Sequence, residues 1–72
     1  MTMEIKTVQV QVLPDGRMDS PNTARYLGVT KKTLAMWRYQ GKGPRYIRRG
    51  RIFYRKADVD DWLSAGQVKT VN

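Results

Sequence analysis

The residues of this chain that can do chemistry are its cations. Its 72 residues contain no cysteine and no histidine. That removes disulfides, the usual zinc sets and every nucleophile arrangement built on Cys or His. No catalytic triad, metal set or phosphate-binding loop can be assembled from what remains, so neither catalysis nor a cofactor or metal is expected. Against six acids stand fourteen Lys and Arg, a net charge of +8. Eleven of those fourteen lie between Ser20 and Ala57, a block without a single Asp or Glu. A solvated surface ordinarily mixes its signs. An acid-free block of this length implies a polyanionic partner, because each phosphate neutralised releases condensed counterions.

The acids flank the block. Glu4, Asp15 and Asp19 precede it, and Asp58, Asp60 and Asp61 follow. The last three invite a metal or acid/base reading, but they open a helical stretch, where the macrodipole accounts for them. An anionic membrane surface competes as the partner. It calls for one continuous amphipathic helix, and Gly28, Gly41, Gly43 and Pro44 interrupt the block. No apolar run approaches the length of a membrane span and no signal-peptide pattern is seen, so a reducing, cytoplasmic setting is expected.

The elements that must position these cations begin at Ser20, whose hydroxyl suits an N-cap, followed by Pro21 at the first helical position. Ala24, Tyr26 and Leu27 form a short apolar stripe, Gly28 ends the helix, Val29 plugs the turn and Thr30 caps the next helix. That helix spans Lys31 to Tyr39 or Gln40 and stops at Gly41. At about 100° per residue, Leu34, Trp37 and Gly41 share one side, and Lys32, Met36 and Tyr39 lie nearly opposite. One face packs; the other presents a cation, a thioether and a phenol that can stack or donate to phosphate. Two capped helices around a glycine-containing turn match the unit that places its second helix in a major groove.

After the Lys42-Gly43-Pro44 hinge, Arg45–Arg48 and Ile52–Arg55 are β-branched and aromatic and flank Arg49-Gly50-Arg51. They read as a hairpin with a basic tip, where Arg48, Arg49 and Arg51 project and Arg45 adds charge at its base. A planar guanidinium suits a narrow minor groove. Tyr46, Phe53 and Tyr54 offer an alternative, a stacking platform for RNA or single-stranded DNA. Lys56–Ala65 closes the fold as a helix with Ala57, Val59, Trp62 and Leu63 inward, and Gly66 ends it. Trp37 and Trp62 belong to the core by spacing, and Met18 starts it. Upstream, the alternation of Val8, Val10 and Val12 with Thr7, Gln9 and Gln11 predicts a strand through Leu13, ended by the Pro14-Asp15-Gly16 turn. Such a strand needs a sheet to join.

The order helix, turn, helix, hairpin, helix, with the run from Asn22 through Trp37, then Gly41-Lys-Gly-Pro-Arg-Tyr, then Tyr54 to Leu63, resembles the excisionase-type, MerR-like winged-helix DNA-binding domain. The resemblance covers about residues 18 to 66. It implies an α+β winged helix-turn-helix, here with an N-terminal strand adding to the wing sheet. The expected organisation is an extension over 1–17, the domain over 18–66 and a flexible tail over 67–72. It further implies Thr30, Lys31, Lys32, Thr33, Met36 and Arg38 at the major groove, with Tyr39 beside them. Arg45, Arg48, Arg49 and Arg51 belong to the wing. Small proteins of this kind in phages and mobile elements are similar to recombination directionality factors. These load in tandem on double-stranded attachment-site repeats, bend the DNA and turn an integrase toward excision. A small prophage transcriptional regulator of the same fold is the alternative. Met36 departs from a bidentate base reader, so a methyl contact is expected there. The long dimerisation helix and effector domain of MerR-type regulators are absent from the sequence, so inducer sensing is not expected.

Overall fold

Short helices in a chain this size persist only if their ends are satisfied and one face is buried. The computed structural model describes residues 9–66. They form β1 (Arg17–Asp19), α1 (Ser20–Leu27), α2 (Lys31–Tyr39), β2 (Ile47–Arg49), β3 (Arg51–Arg55) and α3 (Lys56–Ala65). The three strands make one antiparallel sheet in the order β1-β3-β2. Met18, Ala24, Leu34, Tyr54 and Val59 form the buried core, ringed by Val10, Tyr26, Leu27, Val29, Trp37 and Ile52. This is the small winged helix-turn-helix expected from the sequence, with three helices and a three-stranded sheet.

The first helix is capped one residue earlier than its sequence suggests. Asp19, not Ser20, is the N-cap: its Oδ1 accepts from the Asn22 amide at 2.9 Å and from Asn22 Nδ2 at 2.8 Å. A carboxylate is the stronger acceptor for the positive end of a helix. That leaves the Ser20 hydroxyl free for a tertiary contact. Gly28 ends α1 at φ 72°, and the Val29 amide reaches back to the Ala24 carbonyl at 2.9 Å. The left-handed glycine turns the chain sharply enough for α2 to start three residues later. Thr30 caps α2 as expected, accepting from the Thr33 amide at 3.1 Å.

The strand predicted through Leu13 is corrected. Residues 1–8 lie outside the described residues, and Gln9–Leu13 carry no strand. The third strand is Arg17–Asp19, after the Pro14-Asp15-Gly16 turn rather than before it. Alternation reports which side chains can be buried, whereas a strand also needs a partner edge for its amides. Here the Gln11 amide is taken by the Asn22 side chain at 2.9 Å, and the Leu13 amide closes the turn onto the Arg17 carbonyl at 2.8 Å. Val10 still packs on the core. Two smaller expectations also change. Ala57 and Leu63 of α3 are exposed, and the hairpin strands pair one residue nearer the tip, with Arg49 opposite Arg51 and the first strand starting only at Ile47.

Candidate nucleic-acid interface

Leu34 is fully buried, and Trp37 and Arg38 are half-buried, so α2 turns its other side outward. Lys31, Lys32, Ala35, Met36 and Tyr39 are all exposed, Met36 at 49% and Tyr39 at 94%. The outer face of α2 thus holds an apolar thioether and a phenol out in water beside two cations. Ala35 belongs to this surface and was not singled out by the sequence. The wheel that separates Lys32, Met36 and Tyr39 from the core places it on their flank, but a small apolar residue gives no chemical signal. Thr30 and Thr33 serve locally: the Thr30 hydroxyl also donates to Thr33 Oγ1 at 3.0 Å.

Arg38 faces the other way. Its Nη1 donates to Ser20 Oγ at 3.1 Å and to the Tyr54 hydroxyl at 2.9 Å, and its guanidinium stands 6.0 Å from the Tyr46 ring centre. Thus one side chain of α2 reaches the start of α1 and the middle of β3. The buried phenol of Tyr54 has its partner, and the helix is fixed relative to the hairpin. The position expected at the major groove is therefore an internal tie.

Cross-strand register sorts the wing cations. Arg48 pairs with Ile52 and so shares the face that carries Tyr54, towards the core. Its guanidinium stands 5.9 Å from Tyr46, on a ring it shares with Arg38. Arg49 and Arg51, directly opposed, share the other face with Phe53 and Arg55. Like charges in direct opposition are unfavourable. Both are exposed at a tip where Gly50 turns at φ 72°, so an external anion would relieve the repulsion. Arg45 precedes β2 and is exposed.

The stacking platform of Tyr46, Phe53 and Tyr54 is not assembled. Tyr54 is buried, Phe53 points to the opposite face beneath the Arg17 guanidinium at 4.7 Å, and Tyr46 alone is exposed, at 39%.

On the far side of α1, α3 holds the acids. The Tyr26 hydroxyl donates to Asp60, and Lys56 Nζ pairs with Asp60 Oδ2 at 3.0 Å. The Tyr26 hydroxyl, and after it Lys56, hold the Asp60 carboxyl below the ordinary range, while Asp60 raises Lys56 in turn. Asp58 lies 4.0 Å from Arg55. These carboxylates join helices and neutralise neighbouring cations. No group of three His, Cys, Asp or Glu able to hold a metal occurs among the described residues.

Residues 18–67, which hold the two capped helices and the hairpin, match a family model described as a helix-turn-helix domain. The chain belongs to this helix-turn-helix family. The family includes excisionase-like DNA-binding domains, and membership makes this a DNA-binding module. A search of curated proteins finds no match to the chain. Among the described residues of this helix-turn-helix protein, no helix is long and apolar enough to cross a membrane.

Proposed function

We propose that this helix-turn-helix protein binds specific sites on double-stranded DNA and bends them as a recombination directionality factor, turning a phage or mobile-element integrase toward excision. The observation that carries the reading is the pairing of two exposed surfaces through one half-buried tie. The outer face of α2 offers Lys32, Ala35, Met36 and Tyr39, and the arginine-tipped hairpin is joined to that helix by the Arg38 bond to Tyr54, while the same guanidinium holds Ser20 of α1. In this reading α2 enters a major groove, where Lys32 donates to base edges or phosphate. Ala35 and Met36 meet thymine methyl groups, and Tyr39 stacks or donates to the backbone. Arg49 and Arg51 enter the adjacent minor groove, whose negative potential suits two opposed guanidinium groups. Copies loaded side by side on repeated sites share the cost of bending, on the order of 1–6 kcal/mol for a moderate bend.

The resemblance of residues 18 to 66 to excisionase-type domains supports the recombination role, and the charge block supports the DNA partner. Duplex is favoured over single strands because only Tyr46 of the three candidate stacking rings is exposed. The test is a gel-shift titration on duplex from the attachment region beside an integrase gene, with unrelated duplex as competitor. A reconstituted integrase reaction then follows. A ladder of competitor-resistant shifts, and excision that depends on this protein, are expected. Site-specific shifts with no effect on excision, but altered output from a reporter lacking integrase, would reassign it to transcriptional regulation. Preference for single-stranded competitor would overturn the duplex reading.

A further inference from the structure

The turn from Gly41 to Tyr46 joins α2 to the hairpin and borders an open cleft of about 380 Å³. Its polar groups come from Arg38, Lys42, Arg45 and Tyr46, and no acid lines it. Lys42 and Arg45 are exposed, and neither has an ion-pair partner among the described residues. The Lys42 backbone amide donates to the Trp37 carbonyl at 2.7 Å. The turn is nonetheless held in shape. Pro44 is buried, and Gly43 approaches Trp37 closely. The Arg38 and Arg48 guanidinium groups stand 6.0 Å and 5.9 Å from the centre of the Tyr46 ring. Gly43 and Arg45 also line a neighbouring cleft, together with Asp58, Asp61 and Trp62.

We propose that this cleft seats a phosphodiester of the DNA backbone. The inference rests on the duplex reading above and adds a contact to it. On a duplex, a major groove and the adjacent minor groove are separated by one sugar–phosphate strand. A protein with a helix in the first and a hairpin in the second must cross that strand, and the segment joining helix to hairpin is what crosses it. Here that segment carries two cations and a phenol, and Arg38 of α2 brings a third cation to the same acid-free hollow. Lys42 and Arg45 donate to the phosphate oxygens, the Tyr46 hydroxyl adds a third donor, and Arg38, whose Nη1 is already engaged, contributes its charge. Such a contact positions the protein without reading sequence.

The test compares the full chain with Lys42→Gln/Arg45→Gln and with Tyr46→Phe, on duplex bearing the site and on unrelated duplex, across a series of salt concentrations. Circular dichroism checks the fold, which two exposed side chains should leave unchanged. The double variant is expected to lose about threefold to tenfold in affinity, by the same factor on both duplexes. Its slope of log affinity against log salt should fall by about 0.9 for each phosphate given up. Tyr46→Phe should show a smaller, equally sequence-independent loss. Unchanged affinity and slope in the double variant, with wild type still shifting its site, would overturn the seat and leave the duplex reading standing. Failure of wild type to bind any duplex would overturn both. A loss confined to the specific duplex would mean base readout and overturn the seat. A last arm titrates inorganic phosphate while following the amide resonances of Gly41–Tyr46. Saturating shifts there, combined with unchanged duplex affinity in the double variant, would assign the cleft to a free anion and overturn the proposal.

Discussion

Arg38 and Lys32 sit six residues apart on α2, carry the same charge and do different work. Arg38 satisfies Tyr54 and Ser20, so Arg38→Met leaves a buried phenol and a hydroxyl without their donor. A loss of about 1–3 kcal/mol is expected, read as a lowered denaturant midpoint. Lys32 is exposed with no ion-pair partner among the described residues, and Arg49 is exposed at the hairpin tip. Lys32→Ala and Arg49→Ala should therefore weaken duplex binding while circular dichroism and the thermal midpoint stay within error. Unchanged affinity in both variants would remove the interface from these two elements. A sequence read alone assigns both α2 cations to the partner, since nothing in residue type distinguishes an arginine that faces inward.

Among the elements, the turns carry the strictest requirements. Gly43 has φ +85°, and a Cβ built there would stand 3.2 Å from Trp37 Cβ and Cε3. Gly43→Ala meets both the left-handed penalty and a contact with a ring already packed at a tilt against Trp62, with centroids 5.4 Å apart. The expected cost is about 1–3 kcal/mol. Gly28 has the same backbone sign but open space around it, so Gly28→Ala should cost only about 1 kcal/mol. Chemical denaturation of the two variants separates strain from crowding. Equal losses would mean that the Trp37 contact relaxes freely. The helices and their stops were legible in the sequence because caps, prolines and glycines act within one turn of the chain. The predicted strand was not, because Gln11 gives its amide to a side chain eleven residues away.

At the scale of the molecule, charge is segregated: cations from Arg25 to Lys56, and carboxylates at β1, the preceding turn and α3. The described acids that shift do so downward. The Asn22 amide holds Asp19 below its ordinary value, and the Tyr26 hydroxyl and Lys56 do the same for Asp60. A carboxyl lowered on folding contributes stability that is fully present above its unfolded value, about 3.9 for Asp. That stability is lost as pH falls through the lower folded value. Thermal midpoints should therefore hold through neutral pH and drop below about pH 4, with a shallower acid limb in Asp19→Asn and Asp60→Asn. An identical limb in both variants would place the acid sensitivity elsewhere. DNA affinity should fall steeply with salt, in proportion to the phosphates neutralised.

The sequence by itself determined the class of partner and the order of elements. Charge, capping residues and glycine stops act locally or through composition, and both can be counted along a chain. Tertiary structure alone decided which cations remain free. It placed Arg38 against Tyr54, split Arg48 from Arg49 and Arg51 across the sheet, and buried one ring of a possible stacking platform. It also chose Arg17–Asp19 as the third strand. Each of these depends on strand register or on a contact between residues distant in sequence. Side-chain direction follows from such pairings, and residue type does not encode it.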